Sequence, residues 1–282
     1  MHFRKTFVYL GVVTNYKMNN MIQILEEIRA KSPLVHNITN YVVMNNTANA
    51  LLSIGASPVM AHAIEEVEDI VRISSSLVIN MGTLSESWVK SMLLSASKIK
   101  KFNKPFVFDP VGVGASQYRT ETALKIIETA TPSVIRANAS EIMALAQLSQ
   151  STKGVDSTID TQNALEGAIL LSKKLNNTIV ISGAVDYVVT KDRVTKIHNG
   201  SKLMSKVTGM GCTATAIVGA CIAVEKDFHK AATAAMAIMG ITGEMAEVVS
   251  KGPGSFQACF LDNLYHISTE DIKNKIRVDG EI

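Results

Sequence analysis

Cysteine is scarce in this sequence, with only Cys212, Cys221 and Cys259 among 282 residues. No two of them stand in a Cys-x-x-Cys pair, and an odd number leaves one without a partner. The sequence therefore argues against a disulfide framework and against a zinc cage. Such usage is typical of a reducing compartment, and we expect a cytoplasmic protein.

An excess of one charge and long apolar runs are also lacking. Lysine and arginine number 28 against 25 acidic residues, for a net charge of +3. No run of like charges long enough to bind nucleic acid occurs, so we expect no nucleic-acid partner. The longest apolar stretches, Ala214–Val224 and Ala231–Ile241, are shorter than the ~20 residues of a membrane-spanning helix. We interpret both as buried helices and expect no membrane contact.

The first residues do not form a complete signal peptide. A basic start precedes the short apolar run Thr6–Val13, but no small-x-small cleavage site follows it. We therefore expect the working chain to begin near Met18 or Met21, with residues 1–20 an N-terminal extension that is either non-native or disordered. No linker, internal repeat or low-complexity tract divides the rest, so residues 21–282 are predicted to form one domain.

Short apolar segments alternate with helical periodicity along the chain. The predicted strands are Leu34–Ile38, Pro58–Met60, Leu77–Met81, Phe106–Asp109, Ser133–Arg136, Thr178–Ser182 and the hairpin Asp186–Thr190 with Val194–His198. The predicted helices are Ile22–Ala30, Val42–Ile54, Glu65–Ile73, Ser87–Ile99, Glu121–Thr129, Ser140–Leu148, Ala164–Leu175 and most of Cys212–His266, and Gln150–Thr161 is a polar interval. This order predicts an α/β fold with a mostly parallel sheet covered by helices on both faces. In such sheets ligands bind beyond the carboxyl ends of the strands.

A glycine-rich turn opens the helical carboxyl-terminal third of the chain. Gly209 and Gly211 let a ligand approach the backbone, and the helix that begins there presents free N–H groups to an anion. Cys212 stands in the first turn, where the pKa of a thiol tends to fall. The alternative is an ordinary glycine turn followed by a packed cysteine.

Asn138 and Glu141 follow a predicted strand at a spacing of three. On one face of a helix they are placed to share a magnesium ion. The alternative is a capping box at the helix start, without any metal.

Asp109 and Arg136 end two further predicted strands. Asp109, in Asp109-Pro110-Val111-Gly112, is placed to hold a metal ion or water near phosphates, or else to close a turn. Arg136 is suited to bind phosphate oxygens, or else to form a structural ion pair.

Two candidates for binding a small organic ligand lie near the amino end. Asn40 follows a strand and can hydrogen-bond a hydroxyl or ring nitrogen, or serve as a helix N-cap. Met60 offers an apolar wall to an aromatic ring, or is a core methionine. His36 and His62 have no metal-ligand spacing and are interpreted as structural or surface residues. Together, the strand ends and the glycine turn carry the groups needed for magnesium-dependent phosphoryl transfer.

The same segments, in this order, resemble the hydroxyethylthiazole kinase family, which has the ribokinase-like fold. The resemblance covers about Met21 to Asp271. It is carried by Pro33–Asn40, Gly55–Met60, Asp109–Gly112, Asn138–Glu141, Gly209–Cys212 and Lys251–Phe256. One departure is Met210, a bulky residue where the family usually has a small residue or threonine.

The resemblance implies a three-layer sandwich that uses ATP to phosphorylate the hydroxyl of 4-methyl-5-(2-hydroxyethyl)thiazole in thiamine salvage. It also implies a homotrimer with active sites between subunits. The roles that it implies are Met60, Gly209 and Asn40 for the thiazole, Arg136, Ser182 and Asn138 for ATP, Asp109 and Glu141 for Mg2+, and Cys212 with Gly209 and Gly211 for catalysis. Cys212 stands where related sugar kinases carry a catalytic aspartate.

Two other functions remain as alternatives. One is a lyase of the same fold, similar to NAD(P)H-hydrate dehydratase, although those enzymes carry aspartate where this chain has Cys212. The other is a homologue that binds thiazole or nucleotide without turnover.

Overall fold

A computed structural model describes residues 18–149 and 161–280 of the chain. The predicted extension therefore lies mostly outside the described residues, as does nearly all of the polar interval Gln150–Thr161. Residues 18–20 belong to the first helix, α1 (residues 18–31). Met18 packs against the hydrophobic core, so residues before the predicted domain boundary at residue 21 also contact the domain.

Within residues 18–149 and 161–280, nine strands form one sheet: β1 (Leu34–Ile38), β2 (Ser57–Val59), β3 (Ser76–Asn80), β4 (Phe106–Asp109), β5 (Val134–Asn138), β6 (Thr178–Ser182), β7 (Asp186–Val189), β8 (Val194–Ile197) and β9 (Val278–Gly280). Their order across the sheet is β2-β1-β3-β4-β5-β6-β7-β8-β9. The strands from β2 to β6 pair in parallel, and β7 to β9 continue the sheet in antiparallel pairing. The predicted mostly parallel sheet and the β7–β8 hairpin are confirmed.

The helices after α1 are α2 (Met44–Ile54), α3 (Val67–Ile73), α4 (Glu86–Lys101), α5 (Gln117–Thr129), α6 (Ala139–Ser149), α7 (Thr161–Leu175), α8 (Met210–Val224), α9 (Phe228–Val249), α10 (Pro253–His266) and α11 (Thr269–Lys275). A short 3-10 helix spans Lys202–Lys206. Two boundaries differ from the prediction in a way that matters below. β3 ends at Asn80, and β5 runs on to Asn138 instead of ending at Arg136.

Two hydrophobic cores lie on opposite faces of the sheet, because successive strand side chains point to opposite sides. Val78 packs with α1, α2, α8, α9 and α10 on one face. Its neighbours Leu77 and Ile79 pack with α3 to α7 on the other. The three-layer sandwich is thereby confirmed.

Helix α8 lies close against the centre of the sheet. A β-carbon at Gly219 would lie 2.6 Å from Cγ2 of Val78, so glycine is needed for this approach. Ser76 adds a hydrogen bond from Oγ to the Gly219 carbonyl at 2.7 Å. This packing fixes the amino end of α8 at the carboxyl ends of β3 and β4.

Helix α9 is longer than the apolar stretch that predicted it. Its 22 residues have the length and composition to cross a membrane, but 72% of its most apolar window is buried inside the protein. Such burial is typical of the core helix of a globular domain.

Candidate active site

The polar candidates meet at the carboxyl-terminal edge of the parallel strands. Asn80 pairs with Asp109 across β3 and β4, and Asn138 pairs with Ser182 across β5 and β6. Strand register therefore brings together side chains that are far apart in the sequence.

Asp109 is the buried carboxylate at the centre of this edge, with 1% of its surface exposed. Its Oδ2 atom accepts hydrogen bonds from Nδ2 of Asn80 at 2.8 Å and from Oγ1 of Thr215 at 2.7 Å. Burial raises the pKa of Asp109 to about 6, although the nearby Arg136 guanidinium lowers it. At neutral pH the carboxylate is therefore mainly ionised and held in one orientation.

Arg136 extends from β5 toward the amino end of α8. Its Nε and Nη2 atoms donate to Oγ of Ser182 at 3.0 and 2.7 Å. Its Nη1 atom lies 3.7 Å from Oδ2 of Asp109. Only 12% of its side chain is exposed, so this cation is held within the site and not on the open surface.

Gly209 is the N-cap of α8 and adopts a left-handed conformation, with φ of 84°. A β-carbon there would lie 2.6 Å from Cγ1 of Val43, so both the backbone angle and the space require glycine. The predicted glycine turn into a helix is confirmed. Met210 is 8% exposed and belongs to the core, so its bulk does not fill the turn.

Cys212 is the third residue of α8 and is half-buried. Its Sγ atom accepts a hydrogen bond from Nδ2 of Asn40 at 3.5 Å. Burial and the charge of Asp109 raise the pKa of the Cys212 thiol, against smaller opposing effects of Asn80, Asn40 and Arg136. The expected lowering of the thiol pKa is therefore wrong, because burial, the largest of these effects, disfavours the charged thiolate.

Asn138 and Glu141 form a capping box at the start of α6. Asn138 N donates to Oε2 of Glu141 at 2.9 Å, and Glu141 N donates to Oδ1 of Asn138 at 2.9 Å. These two hydrogen bonds match the capping box that the sequence offered as the alternative to a magnesium site. The N-cap residue is Asn138, which is also the last residue of β5. The other Glu141 oxygen accepts from Gly112 N at 2.8 Å, and its charge raises the pKa of Asp109. Glu141 therefore combines a structural role with a negative charge near Asp109.

Met60, His36 and His62 lie on the β1–β2 side of the sheet. Met60 follows β2, whose Val59 pairs with His36 of β1, and is half-buried. Burial lowers the pKa of His36 to about 4, and its Nε2 atom bonds the Ala61 carbonyl at 2.8 Å. The His62 ring packs against Trp88 at 4.6 Å between centroids. His36 is thus a structural residue, as predicted.

Sequence reasoning missed three side chains that hold the site together. Asn80 and Thr215 both bind Asp109. Asp186, at the start of β7, accepts from Gly183 N at 2.9 Å. Asn80 had a usable signal, since a polar residue ends an apolar strand and Gly82 follows. Thr215 had none, because it lies within an apolar helix.

The carboxylates of the site suit a metal ion that brings other ligands with it. Among the described residues, no three His, Cys, Asp or Glu side chains cluster as a metal site. Mg2+ is commonly bound through one or two carboxylates together with water and substrate phosphates. Asp109, with Glu141 nearby, fits that mode and does not fit a dedicated protein cage.

The model of one protein family, the hydroxyethylthiazole kinase family, matches residues 25–270 of the chain. The chain belongs to this family. It is 53% identical over 264 residues to a hydroxyethylthiazole kinase of Leptospira biflexa, an alignment covering 94% of this chain and 99% of that protein.

Solved structures agree with this membership. The hydroxyethylthiazole kinase of Pyrococcus horikoshii superposes with a TM-score of 0.86 at 40% identity, over 92% of this chain and 98% of that one. A ribokinase-like superfamily protein of Enterococcus faecalis gives a TM-score of 0.62 at 14% identity, over 86% and 94% of the two chains. The second likeness shows the fold alone, which is the predicted ribokinase-like fold.

Proposed function

We propose that this hydroxyethylthiazole kinase family member transfers the γ-phosphoryl group of ATP to the hydroxyl of 4-methyl-5-(2-hydroxyethyl)thiazole. The products are ADP and the thiazole phosphate, a reaction of thiamine salvage. The observation that carries the proposal is the pair of buried Asp109 and part-buried Arg136 at the amino end of α8, in a chain that matches this family from residue 25 to residue 270.

Arg136, Ser182 and Asn138 are proposed to face ATP. Ser182 and Asp109 already hold the Arg136 guanidinium, so little side-chain entropy remains to be lost when it binds phosphate. The first N–H groups of α8, at Met210, Gly211 and Cys212, add donors at the same place. Donors fixed before the reaction stabilise the charge of a transferring phosphoryl group most effectively.

Cys212, Asn40, Gly209 and Met60 are proposed to face the thiazole. Because the pKa of Cys212 is raised, its thiol is protonated at neutral pH and is not a general base in the ground state. A loose phosphoryl-transfer transition state requires little early deprotonation of the alcohol. Cys212 therefore acts by orienting the hydroxyl, together with Asn40, which bonds its sulfur.

Asp109 and Glu141 are proposed to hold Mg2+ when it accompanies ATP. The metal supplies neutralisation of phosphate charge. Hydrogen bonds hold both carboxylates in place. Asp109 accepts from Asn80 and Thr215, and Glu141 accepts from two backbone N–H groups.

The protein is further proposed to be a cytoplasmic homotrimer with active sites between subunits. Tyr41 and Val42, directly after Asn40, are 65% and 60% exposed. Large apolar side chains beside the site support coverage by a neighbouring subunit. Light scattering is then expected to give three times the chain mass of 30.4 kDa.

Release of ADP by the purified chain tests the activity. With ATP and Mg2+, ADP is expected only when hydroxyethylthiazole is added, and a chelator is expected to abolish it. Binding of the thiazole in the absence of ATP, measured by a thermal shift, separates the non-catalytic alternative from the kinase. Thiazole binding without ADP release would support that alternative, whereas conversion of hydrated NAD(P)H would support the lyase, which family membership disfavours.

A further inference from the structure

Asn80 joins the two halves of the site. It ends β3 and is 1% exposed. Its Nδ2 atom donates to Oδ2 of Asp109 at 2.8 Å, on the phosphate side. Its Oδ1 atom accepts from Nδ2 of Asn40 at 2.8 Å, on the thiazole side. One buried amide thus connects a residue proposed for magnesium with a residue proposed for the acceptor alcohol.

The neighbours of Asn80 fix which way its amide points. An ionised carboxylate only accepts hydrogen bonds, so the Asn80 nitrogen must face Asp109. A backbone N–H only donates, and Gly82 N lies 3.0 Å from Oδ1 of Asn80. Both ends of the amide therefore require the same orientation, and a flipped amide would place oxygen against carboxylate and nitrogen against N–H.

The orientation of Asn80 sets that of Asn40 in turn. Because Asn80 presents an oxygen, Asn40 must present its nitrogen, which also donates to Sγ of Cys212 at 3.5 Å. The Asn40 carbonyl oxygen is then the polar atom left to accept from a ligand. A hydrogen-bond acceptor beside Cys212 matches an alcohol, whose hydroxyl hydrogen needs a partner.

The surroundings leave Asn40 little freedom to turn. A β-carbon at Gly82 would lie 2.4 Å from Nδ2 of Asn40, so the backbone at position 82 lies directly against this amide. Arg119 holds that backbone by donating from Nη2 to the Gly82 carbonyl at 2.7 Å and from Nη1 to the Val111 carbonyl at 2.7 Å. The loops after β3 and β4 are therefore tied together around the Asn80 amide.

We propose that Asn80 is a positioning residue that holds Asp109 on the phosphate side and orients Asn40 so that its carbonyl oxygen accepts from the substrate hydroxyl. This inference rests on the proposed kinase function. It assigns to Asn80 no contact with substrate, and it predicts that its two hydrogen-bonding groups have separable kinetic effects.

Two variants separate those effects. Asn80→Asp keeps an oxygen for Gly82 and Asn40, but it replaces the amide hydrogen that Asp109 accepts with a second carboxyl group. The two carboxyl groups then either repel each other or share a proton, and both outcomes disturb the Asp109 carboxylate. We expect the kcat of Asn80→Asp to fall about 10- to 100-fold, with the KM for hydroxyethylthiazole within about threefold of the wild type. Asn80→Ala loses both groups, and we expect the same loss in kcat together with a KM for the thiazole raised at least about fivefold.

Asn177→Ala is the matched control. Asn177 is also a buried asparagine, 9% exposed, whose amide donates to the Pro132 carbonyl at 3.1 Å at the opposite edge of the sheet. Asn177→Ala is expected to lower the stability of the protein without changing kcat and the thiazole KM as the Asn80 variants do.

A double variant tests whether Asn80 acts through Asn40. The protein carrying both Asn40→Ala and Asn80→Ala is expected to have the same thiazole KM as Asn40→Ala alone, because Asn80 affects that KM through Asn40.

The inference is overturned if Asn80→Ala has the kinetic constants of Asn177→Ala, or if the Asn40 and Asn80 effects on the thiazole KM add. Should Asn80→Ala fail to fold, the kcat and KM values of the isosteric Asn80→Asp decide the question. Thiazole affinity measured by calorimetry without ATP distinguishes failure of the proposed function. If the wild type binds the thiazole but has no activity, the proposed kinase function is contradicted and the role of Asn80 is not. That role is then supported if Asn80→Ala weakens thiazole binding and Asn80→Asp preserves it, and contradicted otherwise. A wild type that binds no thiazole overturns both.

Discussion

The guanidinium of Arg136 lies directly against the backbone of Gly211. A β-carbon at position 211 would lie 2.8 Å from Nη1 and 3.2 Å from Nη2. Gly211 is the second residue of α8, so its lack of a side chain allows the cation to reach the helix terminus where phosphate is proposed to bind. The glycine is therefore needed for the position of Arg136 and not only for the turn.

Gly211→Ala is expected to displace the Arg136 guanidinium, because this flexible end of a side chain moves more easily than helix backbone. The KM for ATP should rise about five- to tenfold, with a smaller change in the KM for hydroxyethylthiazole. Gly254→Ala is the matched control, since Gly254 is the second residue of α10 and a β-carbon there would meet nothing within 4 Å. Steady-state kinetics with each substrate varied make the test. An equal rise in both KM values would contradict the assignment of Arg136 to ATP.

Cys212→Ala is expected to retain measurable activity, and Cys212→Asp to keep or raise it. The raised pKa keeps the thiol protonated at neutral pH, so it cannot accept the hydroxyl proton in the ground state, and its removal costs only the orientation of the hydroxyl. An aspartate at this position offers Asn40 a stronger acceptor than sulfur does. The measurement is kcat for both variants, with thiazole binding checked separately. A Cys212→Asp protein that binds the thiazole but has no turnover would rule out this role.

Hydrophobic periodicity, together with the polar, glycine and proline residues that bound each segment, was enough to predict the layers of the fold. Apolar strands such as Leu77–Met81 and Phe106–Asp109 lie within a residue of their predicted bounds, because buried parallel strands are short, apolar and bounded by polar residues. β9 was not predicted, since Val278–Gly280 has only three residues and depends on pairing with β8. Such an edge strand is set by tertiary contacts that local sequence does not encode.

The site was predictable where a residue ends a strand, and not where contacts cross between elements. Asp109 was found because it ends β4, and Arg136 because it lies two residues before the end of β5 at the same edge of the sheet. The structure places their side chains 3.7 Å apart. Thr215 was missed because its hydrogen bond to Asp109 spans 106 positions in the sequence. The direction of the Cys212 pKa was wrong for the same reason, since burial depends on neighbours from other elements.

His36 is expected to make the protein less stable in acid. Burial lowers the pKa of His36 from 6.5 to about 4, so the unfolded chain binds a proton more readily than the folded one between these values. The stability that a neutral His36 allows is present above pH 6.5 and is lost as the pH falls toward 4. His36→Gln keeps a donor for the Ala61 carbonyl and cannot titrate.

Urea unfolding of the wild type and His36→Gln measures this difference. From pH 7 to pH 5, the wild type should lose about 2 kcal/mol of unfolding free energy relative to the variant. Burial raises the pKa of Asp109 and of Asp186 to about 6, which acts in the opposite direction but equally in both proteins. The contribution of these two aspartates therefore cancels when the wild type is compared with His36→Gln. A difference that stays constant from pH 7 to pH 5 would contradict a neutral buried His36.

Asp186 is expected to support ATP binding by fixing the turn between β6 and β7. Its Oδ1 atom accepts from Gly183 N at 2.9 Å, and Gly183 directly follows Ser182, which holds Arg136. Asp186→Ala removes this acceptor and should raise the KM for ATP about three- to tenfold while the KM for hydroxyethylthiazole changes little. Asp186→Asn keeps a carbonyl oxygen at the same place and should restore most of the wild-type KM, because the bond needs an acceptor and not a charge. If Asp186→Asn is as impaired as Asp186→Ala, the negative charge beside Arg136 is what matters, and the turn is not the reason that this residue is an aspartate.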